Sequence, residues 1–128
     1  MLSSVLRGAR FRDLAIQQIL LTLPKDEPLW LEAEPANPYD HNAIKVWANV
    51  PEGMTVAVPD LDERGEPQVR EHDDHTQVFI GYIAKEHCYA VKMLGPVETL
   101  AAKIWEINGA MPELVVGLPH ELGLVPAE

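Results

Sequence analysis

Leu29 to Ala48 reads LWLEAEPANPYDHNAIKVWA, two apolar runs joined by a turn. In LWLEAE, Leu29 and Leu31 share one face, the period of two expected of a half-buried strand, and Pro35 closes the run. AIKVWA, from Ala43 to Ala48, resumes the alternation with Ile44 and Val46 opposite Lys45 and Trp47. Between them, Asn37-Pro38-Tyr39-Asp40-His41-Asn42 is turn chemistry throughout, because proline fixes φ while Asn and Asp side chains bond their own backbone. A connection held by Pro35 and Pro38 can present Asn37, Tyr39 and Asp40 outward while Ile44 and Val46 anchor it in a core. The same residues also suit a purely structural loop in which Asn and Asp only satisfy local amides.

On the N-terminal side, Ser4 to Phe11 has strand character. Arg12 to Leu23 predicts a helix, with Leu14, Ile16, Ile19, Leu20 and Leu23 near helical spacing and Pro24 ending it. On the C-terminal side, Gln77 to Ile83 (QVFIGYI) predicts a strand in which Gly81 marks a bulge or a close backbone approach. Lys85 to Leu94 predicts a helix with Cys88, Val91 and Met93 inward. Val97 to Ile107 predicts a second helix closed by Asn108-Gly109, and Glu113 to Leu118 a last strand. Residues 50–76 are dense in acids and breakers and predict a surface excursion or loosely held hairpin, with Met54 to Val58 as a short strand inside it. Five or six short strands with two or three helices imply an α+β domain built on a small barrel.

The 128 residues are one domain's worth, 1–128, and 47% of them are apolar, enough for a real core. A lone cysteine, Cys88, precludes an internal disulfide and suits a reducing compartment. MLSSVLRGARFRD lacks the apolar stretch of a signal peptide, and no apolar run nears the roughly 18 residues of a membrane span. A soluble, cytoplasmic protein is expected. The net charge of −10 argues by itself against a nucleic-acid partner. It is unevenly spread, however. Residues 47–77 hold eight acids and two bases, whereas residues 1–23 hold Arg7, Arg10 and Arg12 against Asp13 alone.

NPYDHNAIKV, preceded by Glu34-Pro35 and followed by IGYI, closely resembles the HIRAN domain, which precedes some eukaryotic fork-remodelling helicases and also stands alone in bacteria and phages. The resemblance extends through GARFRD, LWLEAEP, FIGYIAKE and the helix after it. It implies a modified OB-like barrel of about six strands with flanking helices that binds the 3′ end of single-stranded DNA, in repair, replication or phage DNA processing. It further implies that Tyr39 stacks on a terminal base, that Asp40 bonds the 3′ hydroxyl, and that Asn37 contacts a base. Arg10 and Phe11 match the family's arginine–aromatic pair, Lys85 its phosphate-contacting lysine, and Tyr82 stands where the helicases carry histidine. A helicase, nuclease or other DNA-processing protein is the partner to expect, with no cofactor and no metal.

Other constellations carry less. His72-Asp73-Asp74-His75 lacks a standard zinc spacing, and Asp60, Asp62 and Glu63 lack the glycine of a calcium loop. His87 and Cys88 are adjacent on a helix and so point apart, which makes Cys88 a core residue. Trp30, Trp47 and Trp105 read as packing residues, with Trp47 on the polar face. No Walker motif, GxSxG or credible carboxylate pair is present, and no enzyme is expected. The rival reading is an acidic protein–protein adaptor or DNA mimic that offers residues 50–76 to a basic enzyme surface.

Overall fold

The computed structural model describes residues 1–8, 18–19, 23, 27–50, 69–72, 75–108 and 111–123. Seven strands are present among them: β1 (Leu2–Arg7), β2 (Leu29–Ala33), β3 (Ile44–Asn49), β4 (Val69–His72), β5 (His75–Ile83), β6 (Ala101–Asn108) and β7 (Met111–Gly117). One short α-helix, α1 (Cys88–Met93), follows a 3-10 turn over Lys85–His87. Six strands close in the order β1-β7-β6-β2-β3-β5, with β5 returning to β1, and β4 adds to β5 from outside the ring. All pairings are antiparallel. The protein is a small OB-like α+β barrel. Closure removes the open sheet edges that would otherwise invite aggregation.

The alternation read in the sequence explains the interior. Leu29 and Leu31 on β2, Ile44, Val46 and Ala48 on β3, and Val78 and Ile80 on β5 meet Leu6, Leu114 and Val116 in one core. Each such side chain contributes about 1.5–3 kcal/mol when fully buried. Cys88 and Val91 seat α1 on this core. The outer face of β3 and β5 is buried too. Trp47 and Phe79 are 1% and 0% exposed, with ring centroids 5.6 Å apart.

Gly81 accounts for a change of phase in β5. Val46 pairs with Gly81 but Trp47 pairs with Phe79, so Ile80 is an extra residue opposite a single step of β3. Gly81 adopts φ +154°, and a Cβ there would lie 2.6 Å from the Arg7 carbonyl oxygen. Only glycine lets β1 approach this closely. Beyond the bulge, Tyr82 pairs with Lys45 on one side and with Arg7 on the other, which sets all three on the outer face.

Several expectations need correction. Val97–Ile107 is not a helix: a 3-10 turn at Val97–Thr99 leads into strand β6, which fills the gap between β2 and β7. α1 is the sole α-helix of more than a turn among the described residues; most of the helix expected at 12–23 lies outside them, with Gln18 and Ile19 described as helical and Ile19 buried. Trp105 does not pack. It is the extra residue of a bulge between the Ile104–Leu114 and Glu106–Glu113 pairs and is 63% exposed. Trp47, by contrast, packs as expected and is buried. The final part of 50–76 is not loosely held either: Arg70 lies 4.4 Å over the Trp47 ring and bonds Gln77 (2.8 Å) and Glu32 (3.2 Å). Residues 51–68, including the strand expected at 54–58, lie outside the described residues.

Candidate functional site

The turn between β2 and β3 is built by Asn37. Its side-chain oxygen accepts the amides of Tyr39 (2.8 Å) and Asp40 (3.1 Å), and its amide nitrogen donates to Glu34 Oε1 at 2.5 Å. Asp40 repeats the device, accepting the Asn42 amide on Oδ1 at 2.9 Å. The backbone closes beneath, with the Glu34 amide donating to the Ala43 carbonyl at 2.9 Å. These local bonds satisfy the turn's own polar groups and free the Tyr39 ring, which stands 80% exposed at its tip.

Glu34 is the hub below. Lys45 Nζ reaches its Oε2 at 2.8 Å, and the Tyr82 hydroxyl donates to its Oε1 at 3.1 Å. The Lys45 side chain is only 6% exposed and lies within 5.8 Å of the Trp47 ring centroid and 5.2 Å of that of Phe79. Tyr82 meets Phe79 edge-on at 5.1 Å. The charged pair, three rings and the amide of Asn37 therefore form one floor. Glu34 stands within the motif without a role legible in the sequence, since nothing local shows that Lys45 and Tyr82 converge on it.

Above this floor lies a cavity of about 360 Å³ lined by Arg7, Asn37, Tyr39, Asp40, Ala43, Tyr82, Ile83 and Lys85. Five sequence-predicted residues thus share one cavity: Asn37, Tyr39, Asp40, Tyr82 and Lys85. The other two, Arg10 and Phe11, lie outside the described residues. Arg7 was not foreseen there; it arrives by pairing with Tyr82 across the β1–β5 seam. Arg7 is also ion-paired with Glu86 at 2.6 Å, both half exposed. A hydrogen bond from its own backbone amide, and then Arg7, hold the Glu86 carboxyl below its ordinary value. Lys85 makes no ion pair among the described residues.

The arrangement can stack a planar group on Tyr39, accept a hydroxyl proton's hydrogen bond on Asp40, and neutralise an anion with Lys85, beside an Arg7 that is already paired with Glu86. Cys88 behind it is buried, and burial, then the Asp40 carboxylate, push its thiol up. His87 turns away from Cys88 and bonds Ser4 Oγ at 2.8 Å. Among the described residues no group of His, Cys, Asp and Glu could hold a metal, and no helix is long and apolar enough to cross a membrane. A larger cavity of about 490 Å³ lies over β1, β6 and β7, against Trp105, Lys103, Glu113 and Glu121, and holds none of the predicted residues.

The chain matches no family model and no curated protein. Among solved structures it is similar to a protein from Lactobacillus plantarum determined by the Northeast Structural Genomics Consortium, at 20% identity and a TM-score of 0.56, over 91% of this chain and 89% of the other. That likeness concerns the fold alone.

Proposed function

We propose that this protein is a non-catalytic, HIRAN-type module that binds the 3′ end of single-stranded DNA. What supports the reading above all is the single cavity shared by Tyr39, Asp40, Asn37, Tyr82 and Lys85. Stacking a base on an aromatic ring is worth roughly 1–3 kcal/mol and ignores base identity, as an end-binder requires. A carboxylate is a poor neighbour for phosphate, so Asp40 in a strand-binding cavity suits the one position where phosphate is absent. A terminal 3′ hydroxyl is that position, and it can donate to Asp40. Lys85, beside the paired Arg7, would offset the phosphates behind it, within the roughly 8 Å over which salt leaves the remaining negative charge unscreened. The module would hold such an end, or hand it to a helicase or nuclease, in cytoplasmic repair, replication or phage DNA processing.

The test is a titration of labelled oligonucleotides ending in a 3′ hydroxyl or a 3′ phosphate, at one salt concentration. A hydrogen bond to a charged group is worth about 1.5–3 kcal/mol, so the phosphate end should bind about tenfold or more weakly. Asp40→Asn should shrink that difference, and Tyr39→Ala should weaken both ends alike. Equal wild-type affinities would refute end reading, and no binding to either would favour the acidic adaptor.

A further inference from the structure

We propose that the flank of α1 formed by Tyr89, Lys92 and Met93 is a second nucleotide subsite, which stacks and neutralises the strand preceding the 3′ end. This rests on the end-binding reading and carries it from the terminal nucleotide to those behind it.

Cys88 and Val91 occupy the inward face of α1. Tyr89 and Met93, one turn apart, are 71% and 70% exposed, and Lys92 falls on the same flank. A six-residue helix gains nothing for its own stability by showing a tyrosine and a methionine to water. The flank borders the turn that carries Tyr39 and Asp40, because Lys92 Nζ donates to Asn42 Oδ1 at 3.1 Å. Lys85, just ahead of the helix, lines the cavity. Lys85, Tyr89 and Lys92 therefore form a cation–aromatic–cation series that starts at the cavity wall and runs along the turn that carries Tyr39. Neither lysine is ion-paired among the described residues, in a chain with 20 acids and 10 bases.

Phosphodiester-linked bases fit this series, since a single strand alternates the same two features, charge and π-face. From Lys85 to Lys92 is about 12 Å along the 3-10 turn and α1, the length of about three to four nucleotides at the spacing of one duplex strand. A protein partner drawn to Tyr89 and Met93 would have to desolvate both lysines beside them.

The experiment compares a dinucleotide with an octanucleotide, both with free 3′ hydroxyls, by calorimetry on wild type, Tyr89→Ala, Tyr89→Phe and Lys92→Ala. Tyr89→Ala should lower octanucleotide affinity about tenfold and leave the dinucleotide unchanged, and Tyr89→Phe should restore it. Lys92→Ala should reduce the octanucleotide's salt slope by about 0.7. Unaltered melting temperatures verify that the exposed substitutions fold. Octanucleotide binding untouched by Tyr89→Ala, or equal losses at both lengths, would overturn the subsite and leave end binding standing. If wild type fails to distinguish hydroxyl from phosphate ends, or binds neither length, the underlying reading falls and the subsite with it.

Discussion

Glu34→Ala is the substitution that most directly probes how the turn is held. It removes the acceptor of three hydrogen bonds, from Lys45, Tyr82 and Asn37, and strands an ammonium whose side chain is 6% exposed. Removing one partner of a buried pair costs about 3–5 kcal/mol, because the remaining charge stays desolvated. The Glu34 side chain is itself 16% exposed, which places the loss at the lower end of that range. Tyr82 and Asn37 face the cavity and can turn to water. The net loss should be about 3 kcal/mol. At roughly 2.1 cal/mol/K per residue over 128 residues, that lowers the melting temperature by about 11 °C. The paired substitution Glu34→Gln with Lys45→Met removes both charges together and should cost far less than Glu34→Ala. Urea denaturation of Glu34→Gln, Lys45→Met and the pair completes the cycle and gives the coupling energy. A loss below about 1 kcal/mol for Glu34→Ala, or a paired variant no more stable than it, would show that this floor is solvated and does not brace the turn.

Gly81→Ala should cost at least about 1–3 kcal/mol in urea denaturation from its positive φ alone, with the Arg7 carbonyl in the way of the new Cβ; a midpoint equal to wild type would refute the close approach. Cys88 should resist thiol reagents in the native protein and react fully in denaturant, since it is 1% exposed. Its thiol is pushed above the ordinary value of 9.0, so the unfolded chain ionises first. That contribution to stability is present below pH 9 and lost as pH climbs toward the folded value; a Cys88→Ala variant should lack this alkaline loss, and an identical alkaline profile would refute it.

The β2–turn–β3 unit was legible because both its signals are local: alternation on Leu29, Leu31, Ile44 and Val46, and turn residues at fixed offsets between them. β6 was not. Leu100, Ile104 and Ile107 stand near helical spacing amid helix-forming Glu, Ala and Lys, and Asn108-Gly109 can stop a helix or link two strands of a hairpin. The deciding fact is tertiary: without β6, β2 and β7 would each present an unpaired edge. Of the site, Asn37, Tyr39 and Asp40 are contiguous and could be read together. Glu34 acquires its role only when Lys45 and Tyr82 fold over it, and Arg7 only through the β1–β5 seam.

The bulge in β5 has a consequence for how such a protein can change by descent. Straight alternation would put Tyr82 beside Val78 and Ile80, pointing inward. The single inserted residue instead sets it with Phe79 and Lys45, outside. Flattening the bulge at an unchanged residue count would therefore swing a phenol into the core and Ile83 toward water, whereas loss of one codon at Ile80 would leave Phe79 opposite Trp47 and Tyr82 opposite Lys45, still outside, in a regular ladder. A one-residue deletion thus costs the core Ile80 but keeps the cavity wall in phase, whereas losing the bulge at constant length switches it off. Related chains should accordingly vary freely in the side chains that line the cavity while keeping either the glycine-bearing bulge or one residue fewer between Phe79 and Tyr82.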